Sequence, residues 1–179
     1  MNYKKVIVVD VEATCWRGYP PKGQTNEIIE IGICQLDMET LKPLNKRSIL
    51  VKPSRSGISE FCTELTTITK DLIDQKGIPL VDACQILEED FNSKRLVWSS
   101  YGEYDRNIFS RNCKDLNVNY PFSKRHLNIK LLFALAKRLS KEVGMKKALE
   151  LLDLPLEGTH HRGVDDAWNT SKILAYCLK

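Results

Sequence analysis

No apolar run in this 179-residue chain approaches the roughly 18 to 20 residues that a membrane helix needs. The longest near the start is only Val6 to Val9. The opening Met-Asn-Tyr-Lys-Lys lacks the long apolar stretch and small-residue cleavage site of a signal peptide. These absences predict no membrane span and make the cytoplasm the expected compartment. The cysteines at 15, 34, 62, 84, 113 and 177 form no CxxC pair, which argues against a structural zinc site or a dithiol redox centre. They are expected as buried thiols, since the chain is not a short secreted one. No repeat, low-complexity tract or inter-domain linker interrupts the sequence. One domain over residues 1–179 is therefore expected, long enough to bury a core without staples. With 42% apolar and 28% charged residues, disorder is excluded.

The net charge of +4 is mild but uneven. Between Ser123 and Lys147 stand eight basic residues and one acid, Glu142, so this segment is about +7 and the rest about −3. Such a segment is either a solvated helix face or a patch that attracts polyanions, nucleic acid above all.

Lys5 to Asp10 is β-branched and continuous, as in a buried strand. A Gly/Pro-rich loop, Cys15 to Asn26, separates it from strands expected at Glu27–Asp37 and Arg47–Val51, an antiparallel opening. Helical signals follow at Ser59–Leu65, at Lys70–Asp74 behind the N-cap Thr69, and from Pro79, which suits a first helical turn. A short strand is expected at Arg95–Ser99 and a helix at Glu103–Cys113. The apolar stripe Ile129, Leu132, Phe133, Ala136 and Leu139 predicts an amphipathic helix over Asn128–Ser140. Helices are also expected at Met145–Leu152 and from Gly163 to about Leu178. The pattern is α/β: a mixed central sheet of about five strands flanked by helices.

Asp10 and Glu12 lie two apart at a strand end, so they share a face. Two carboxylates so placed repel each other, and a divalent cation is the usual remedy. Asp105 opens a helix after another strand and is able to reach the same place. His160-His161-Arg162-Gly163-Val164-Asp165-Asp166 precedes and starts the last helix. There Asp166 shares a face with Ile173, Leu174 and Cys177, which points it toward the protein body. Asp165, on the face of Trp168, Lys172 and Tyr176, is left for capping or the rim.

These segments resemble the DEDDh 3'–5' exonucleases of the ribonuclease H-like superfamily. Val8 to Cys15 is similar to the family's first motif, Tyr104 to Phe109 to its second, and His161 to Ala167 to its third. Glu27 to Gly32 resembles its second strand, and Leu65 to Thr69 the segment beside the terminal nucleotide, although the family often has Gly where Thr67 stands. Glu12-Ala13-Thr14-Cys15-Trp16 and Phe61-Cys62 look most like the Eri subgroup, which includes the histone mRNA 3' exonuclease.

The resemblance implies a ribonuclease H-like fold and two divalent cations, Mg2+ or Mn2+, on Asp10, Glu12, Asp105 and Asp166. It makes His161 the general base on the attacking water, with Glu12 counted among both ligands and catalytic groups. Nucleoside 5'-monophosphates would leave a single-stranded 3' end, RNA favoured over DNA. Ala13, Thr14, Leu65, Ile68, Tyr104 and His161 are expected against the substrate, with main-chain groups near Ala13 and Thr14 on the terminal ribose. Trp16 is a weaker stacking candidate. Two other readings stay open: a catalytically silent nucleic-acid-binding module on this fold, and a phosphodiesterase for small nucleotides.

Overall fold

A computed structural model describes residues 3–179. Its strands are β1 (Lys5–Ala13), β2 (Ile28–Asp37), β3 (Pro43–Leu50), β4 (Val97–Ser100) and β5 (His126–Asn128). They form one sheet in the order β3-β2-β1-β4-β5. The first three strands pair antiparallel, while β4 and β5 add in parallel beside β1. The helices are α1 (Glu60–Thr66), α2 (Lys70–Lys76), α3 (Leu80–Phe91), α4 (Tyr104–Asp115), α5 (Ile129–Ala136), α6 (Met145–Glu150) and α7 (Gly163–Cys177). No helix among the described residues is long and apolar enough to cross a membrane.

The alternation of β1 sorts the core into two layers. Ile7, Val9 and Val11 pack with residues of α3 and α4, including Leu87, Ile108 and Phe109. Val6 and Val8 pack with residues of α5, α6 and α7, including Phe133, Leu149 and Ile173. By the same parity Asp10 and Glu12 continue the face covered by α7. In β2, Cys34 and Leu36 lie in that α7 layer, so Gly32 and Glu30 share their face. The register sets Asp10 opposite Gly32 and Glu12 opposite Glu30.

Gly32 permits the closest contact between the layers. A Cβ added there would lie 1.9 Å from the backbone carbonyl carbon of Gly163, at the start of α7. The backbones of β2 and α7 touch, which brings the first turn of α7 down to the end of β1.

Several boundaries differ from the sequence expectation. β1 runs on to Ala13, because β2 offers a partner through Glu30 and Ile28. The edge strand β3 starts earlier, at Pro43, a position that needs no N–H donor. Pro79 precedes α3 rather than opening it. The helix expected to reach Ser140 stops at Ala136. There the N–H of Leu139 bonds to the carbonyl of Ala134, and that of Arg138 to Leu135. This is a Schellman turn with Arg138 at φ 53° in the usual glycine place. It folds Leu139 back onto the core, so the apolar stripe outlasts the helix. All six cysteines are free, and four are buried.

Replacing Gly32 by Ala forces a methyl group into the Gly163 backbone. The expected loss is about 3 kcal/mol or more, read as a lowered urea midpoint. An unchanged midpoint would contradict the packing of α7 on β2.

Candidate active site

The end of β1 gathers carboxylates from three elements. Oxygen atoms of Asp10, Glu12 and Asp166 all lie within 4.8 Å of one another. Asp10 is partly buried, while Glu12 and Asp166 are buried. Asp105, in the first turn of α4, stands beside them, and its Oδ1 accepts from the Val11 N–H at 2.9 Å. The helix-face expectation for α7 holds. Asp166 is 5% exposed, whereas Asp165 accepts from Lys46 Nζ at 2.6 Å and from the Thr159 N–H at 2.8 Å.

Crowded like charges in a water-poor site hold protons strongly. Burial, then the charge of Asp105, pushes Asp10 well above the usual carboxylate range. Burial and the charges of Asp166 and Glu30 push Glu12 to about 9. Asp105 rises to about 6 through burial, moderated by its bond from Val11. Burial also raises Asp166, against the bonds it accepts from His161 and His160.

Arg162 acts on Glu12 by its charge, but its contacts are made elsewhere. Its Nε and Nη2 each lie 3.1 Å from the fully buried carboxylate of Glu30. Glu30 also accepts from the Gly163 N–H at 2.9 Å and the Ser48 hydroxyl at 2.5 Å. Among the described residues Asp10 and Glu12 form no salt bridge, and Asp166 meets His160 alone. Hard oxygen donors with excess negative charge fit Mg2+ or Mn2+. Asp10, Glu12 and Asp166 are the residues placed to hold such an ion, with Asp105 adjoining.

Both histidines approach Asp166, each in its own way. His160 Nδ1 lies 3.0 Å from Asp166 Oδ2, so His160 supplies the imidazole that touches this acid. His161 reaches Asp166 through its backbone N–H, at 2.9 Å. The His161 ring stacks on that of His160 with centroids 4.0 Å apart and remains half-buried, open to the site. Burial, then the neighbouring His160, lowers the His161 pKa and favours the neutral base.

The residues expected around the nucleotide lie at different depths. Thr14 is fully buried, and its hydroxyl donates to the Thr25 carbonyl and accepts from the Glu27 N–H. Its main-chain N–H donates to the Glu27 carbonyl, and its carbonyl accepts from Asn26 Nδ2 at 2.6 Å. Ile68 is also fully buried, packed with Ile29, Cys62 and Ile73. Ala13 is nearly buried, Leu65 half-buried, and Tyr104 55% exposed at the start of α4. Thr67, where glycine is usual, adopts φ 61° at the end of α1, a left-handed conformation that costs a β-branched residue most.

The ion pair of Glu30 and Arg162, and the contact of His160 with Asp166, were not assigned from the sequence. An acid between Ile29 and Ile31 in a buried strand was the available signal, since such a charge requires a partner.

Two measurements test this electrostatic account. Glu12 keeps its proton to about 9 in the folded chain but releases it near 4.5 when unfolded. The folded chain therefore binds more protons between those values, and stability falls as pH rises. In EDTA the melting temperature should fall from pH 4.5 to pH 9, and saturating Mg2+ should raise it most at the alkaline end. A flat profile, or an equal magnesium effect throughout, would contradict the cluster. Arg162→Ala leaves the Glu30 carboxylate buried without its partner, and is expected to cost about 3 kcal/mol in urea unfolding.

The chain is similar to known proteins in sequence and in fold. The chain is 27% identical over 187 residues to human 3'-5' exoribonuclease 1, covering 99% of this chain and 53% of that protein. It thus spans about half the length of the human, rat and mouse relatives. It is 26% identical to the probable 3'-5' exonuclease KapD of Bacillus subtilis, over 97% of this chain and 84% of that one. The solved nuclease domain of 3'hExo, described as a DEDDh family member bound to rAMP, matches with a TM-score of 0.81 and 26% identity. That match covers 97% of this chain and 91% of the other. Pop2p of Schizosaccharomyces pombe, in its Mg2+ and Mn2+ bound form, shares the fold at a TM-score of 0.71 and 16% identity, over 97% and 82%. The mixed sheet and its helices are the ribonuclease H-like fold of these nucleases. The RNase_T model, described as an exonuclease, matches residues 7–174, and the chain belongs to that exonuclease family.

Proposed function

We propose that residues 1–179 act as one metal-dependent 3'–5' exonuclease domain, an exoribonuclease that releases nucleoside 5'-monophosphates from single-stranded 3' ends. The observation that carries this is the convergence of Asp10, Glu12 and Asp166, with Asp105 beside them, next to a half-buried imidazole. The names of the relatives support RNA as the substrate, human 3'-5' exoribonuclease 1 among them.

Asp10, Glu12, Asp105 and Asp166 would hold two divalent cations. Such ions, when bound, would acidify the attacking water and offset charge on the leaving 3' oxygen. His161, kept neutral by burial and by His160, takes the proton from that water. The bond from the His161 N–H to Asp166 fixes the base relative to the acid cluster. The exposure of Tyr104 at the start of α4 supports a role for its ring against the terminal nucleotide.

The test uses matched single-stranded RNA and DNA oligomers with a labelled 3' end, in Mg2+, Mn2+ and EDTA. Stepwise release of 5'-monophosphates from RNA, abolished by EDTA and by Asp10→Asn, is expected. His161→Ala should lower kcat by about 100- to 10,000-fold, and His160→Ala by less than about tenfold. Faster turnover of DNA would reverse the substrate assignment. Full activity in His161→Ala would remove it as the base, and tight binding without cleavage would favour the silent binding module.

A further inference from the structure

The basic segment does not form one continuous surface. Lys130 pairs with Glu142 at 3.5 Å, and Lys147 with Glu150 at 2.9 Å. Lys137 lies over the Tyr176 ring, 5.2 Å from its centroid. One end of the segment instead lines a groove of about 310 Å³, bounded by Arg106, Ser110, Tyr120, Ser123, Lys124 and His126. That volume lies within the range of ligand clefts, about 300 to 1,000 Å³.

Its two cations come from different elements. Arg106 projects from the first turn of α4, and Lys124 from the turn before β5. Lys124 is exposed and forms no ion pair among the described residues. Arg106 faces Glu103 at 3.6 Å, an exposed pair that is weak and easily exchanged for a phosphate. Tyr120 lines the same groove, half-buried, its ring set edge-on to Trp98 at 6.4 Å and to Phe122 at 5.9 Å. The aromatic side chain is thus held in place at the groove. Cations interleaved with an aromatic ring are what single-stranded nucleic acid requires, phosphate contacts together with a stacking surface.

The groove lies in the α3/α4 layer, on the other face of the sheet from Asp10 and Glu12, and α4 joins the two places. Arg106 follows Asp105 directly, and Ser110 lies about 7.5 Å from Asp105 along the helix axis. The Ser100 hydroxyl, 2.8 Å from His126 Nε2, also supports Asp105. A strand whose 3' end lies at the carboxylates is able to continue along α4 into this groove.

We propose that the groove binds the phosphodiester backbone of a single-stranded substrate upstream of the scissile bond, with Arg106 and Lys124 on phosphates and Tyr120 against a base. This rests on the exonuclease reading and adds to it a length requirement: short oligonucleotides reach the carboxylates but not the groove.

The test compares an RNA dinucleotide with an octanucleotide in Mg2+, using wild type, the Arg106→Ala/Lys124→Ala double variant, and Lys124→Glu. Both residues are exposed, and unchanged melting temperatures confirm folding. Wild-type kcat/KM should be higher for the octanucleotide, and the double variant should lower the octamer-to-dinucleotide ratio by about tenfold. Anisotropy of a 5'-labelled octanucleotide, titrated in EDTA at several salt concentrations, gives a second reading. The slope of log K against log salt should become shallower by about 1.4 for two lost phosphate contacts. A wild-type ratio retained in both variants, or an unchanged salt slope, overturns the groove. If wild type cleaves neither oligomer, the exonuclease reading fails instead, and the salt slope alone decides the groove.

Discussion

Repulsion among buried carboxylates at the end of β1 is the constraint that the surrounding structure answers. Asp10, Glu12 and Asp166 lie within 4.8 Å of one another, with Asp105 adjoining and Glu30 directly across from Glu12. A chain selected for stability alone would not assemble such a cluster, since each acid raises the cost of ionising the next. It persists because the scaffold beneath it is rigid. β1 is central in the sheet, paired on both sides, with a packed layer on each face. The excess charge is what a divalent cation uses, so an unfavourable arrangement in the metal-free chain is a favourable one for binding.

The clamp of Glu30 and Arg162 shows how this strain is contained. Arg162 forms a double contact with Glu30 rather than with Asp10, Glu12 or Asp166. Had it turned to Glu12 or Asp166, it would have neutralised the cluster and competed with a metal. Glu30 in turn accepts from the Gly163 N–H, which joins the first turn of α7 to β2 at the point where Gly32 allows the backbones to touch. One buried acid therefore removes a competing cation and locates the helix that carries Asp166. The loop just before it holds His161 at φ 65°, a left-handed conformation fixed by the bond from its N–H to Asp166.

Much of this was legible in the sequence because it followed from period. Alternation along β1 put Asp10 and Glu12 on one face, and the helical offsets of Ile173 and Leu174 put Asp166 rather than Asp165 inside. Features that depend on tertiary contact were not legible. Nothing local shows that Thr14 spends its hydroxyl and both main-chain groups on residues 25 to 27, or that Ile68 turns inward beneath α1. The length of α5 was overread because a Schellman turn returns Leu139 to the same core that the helix faces. The strand β5 has three residues, too few to show a period.

The helix α4 links these parts physically. Its buried residues Asp105, Ile108, Phe109, Asn112 and Cys113 follow one helical stripe, so the packing of Ile108 and Phe109 sets the rotation of the whole helix. At its far end Asn112 accepts from the Ile28 N–H and donates to the Asn26 carbonyl, which ties the helix to the start of β2. With rotation and position both fixed, Asp105 at the top of the stripe is held against Val11, and the next face, Arg106 and Ser110, must turn toward β5. The distance between the acid cluster and the groove is then a property of one rigid helix rather than of a loop. A strand engaged at both places is held at a defined spacing, and such fixed geometry lets binding energy along a substrate contribute to positioning at its end.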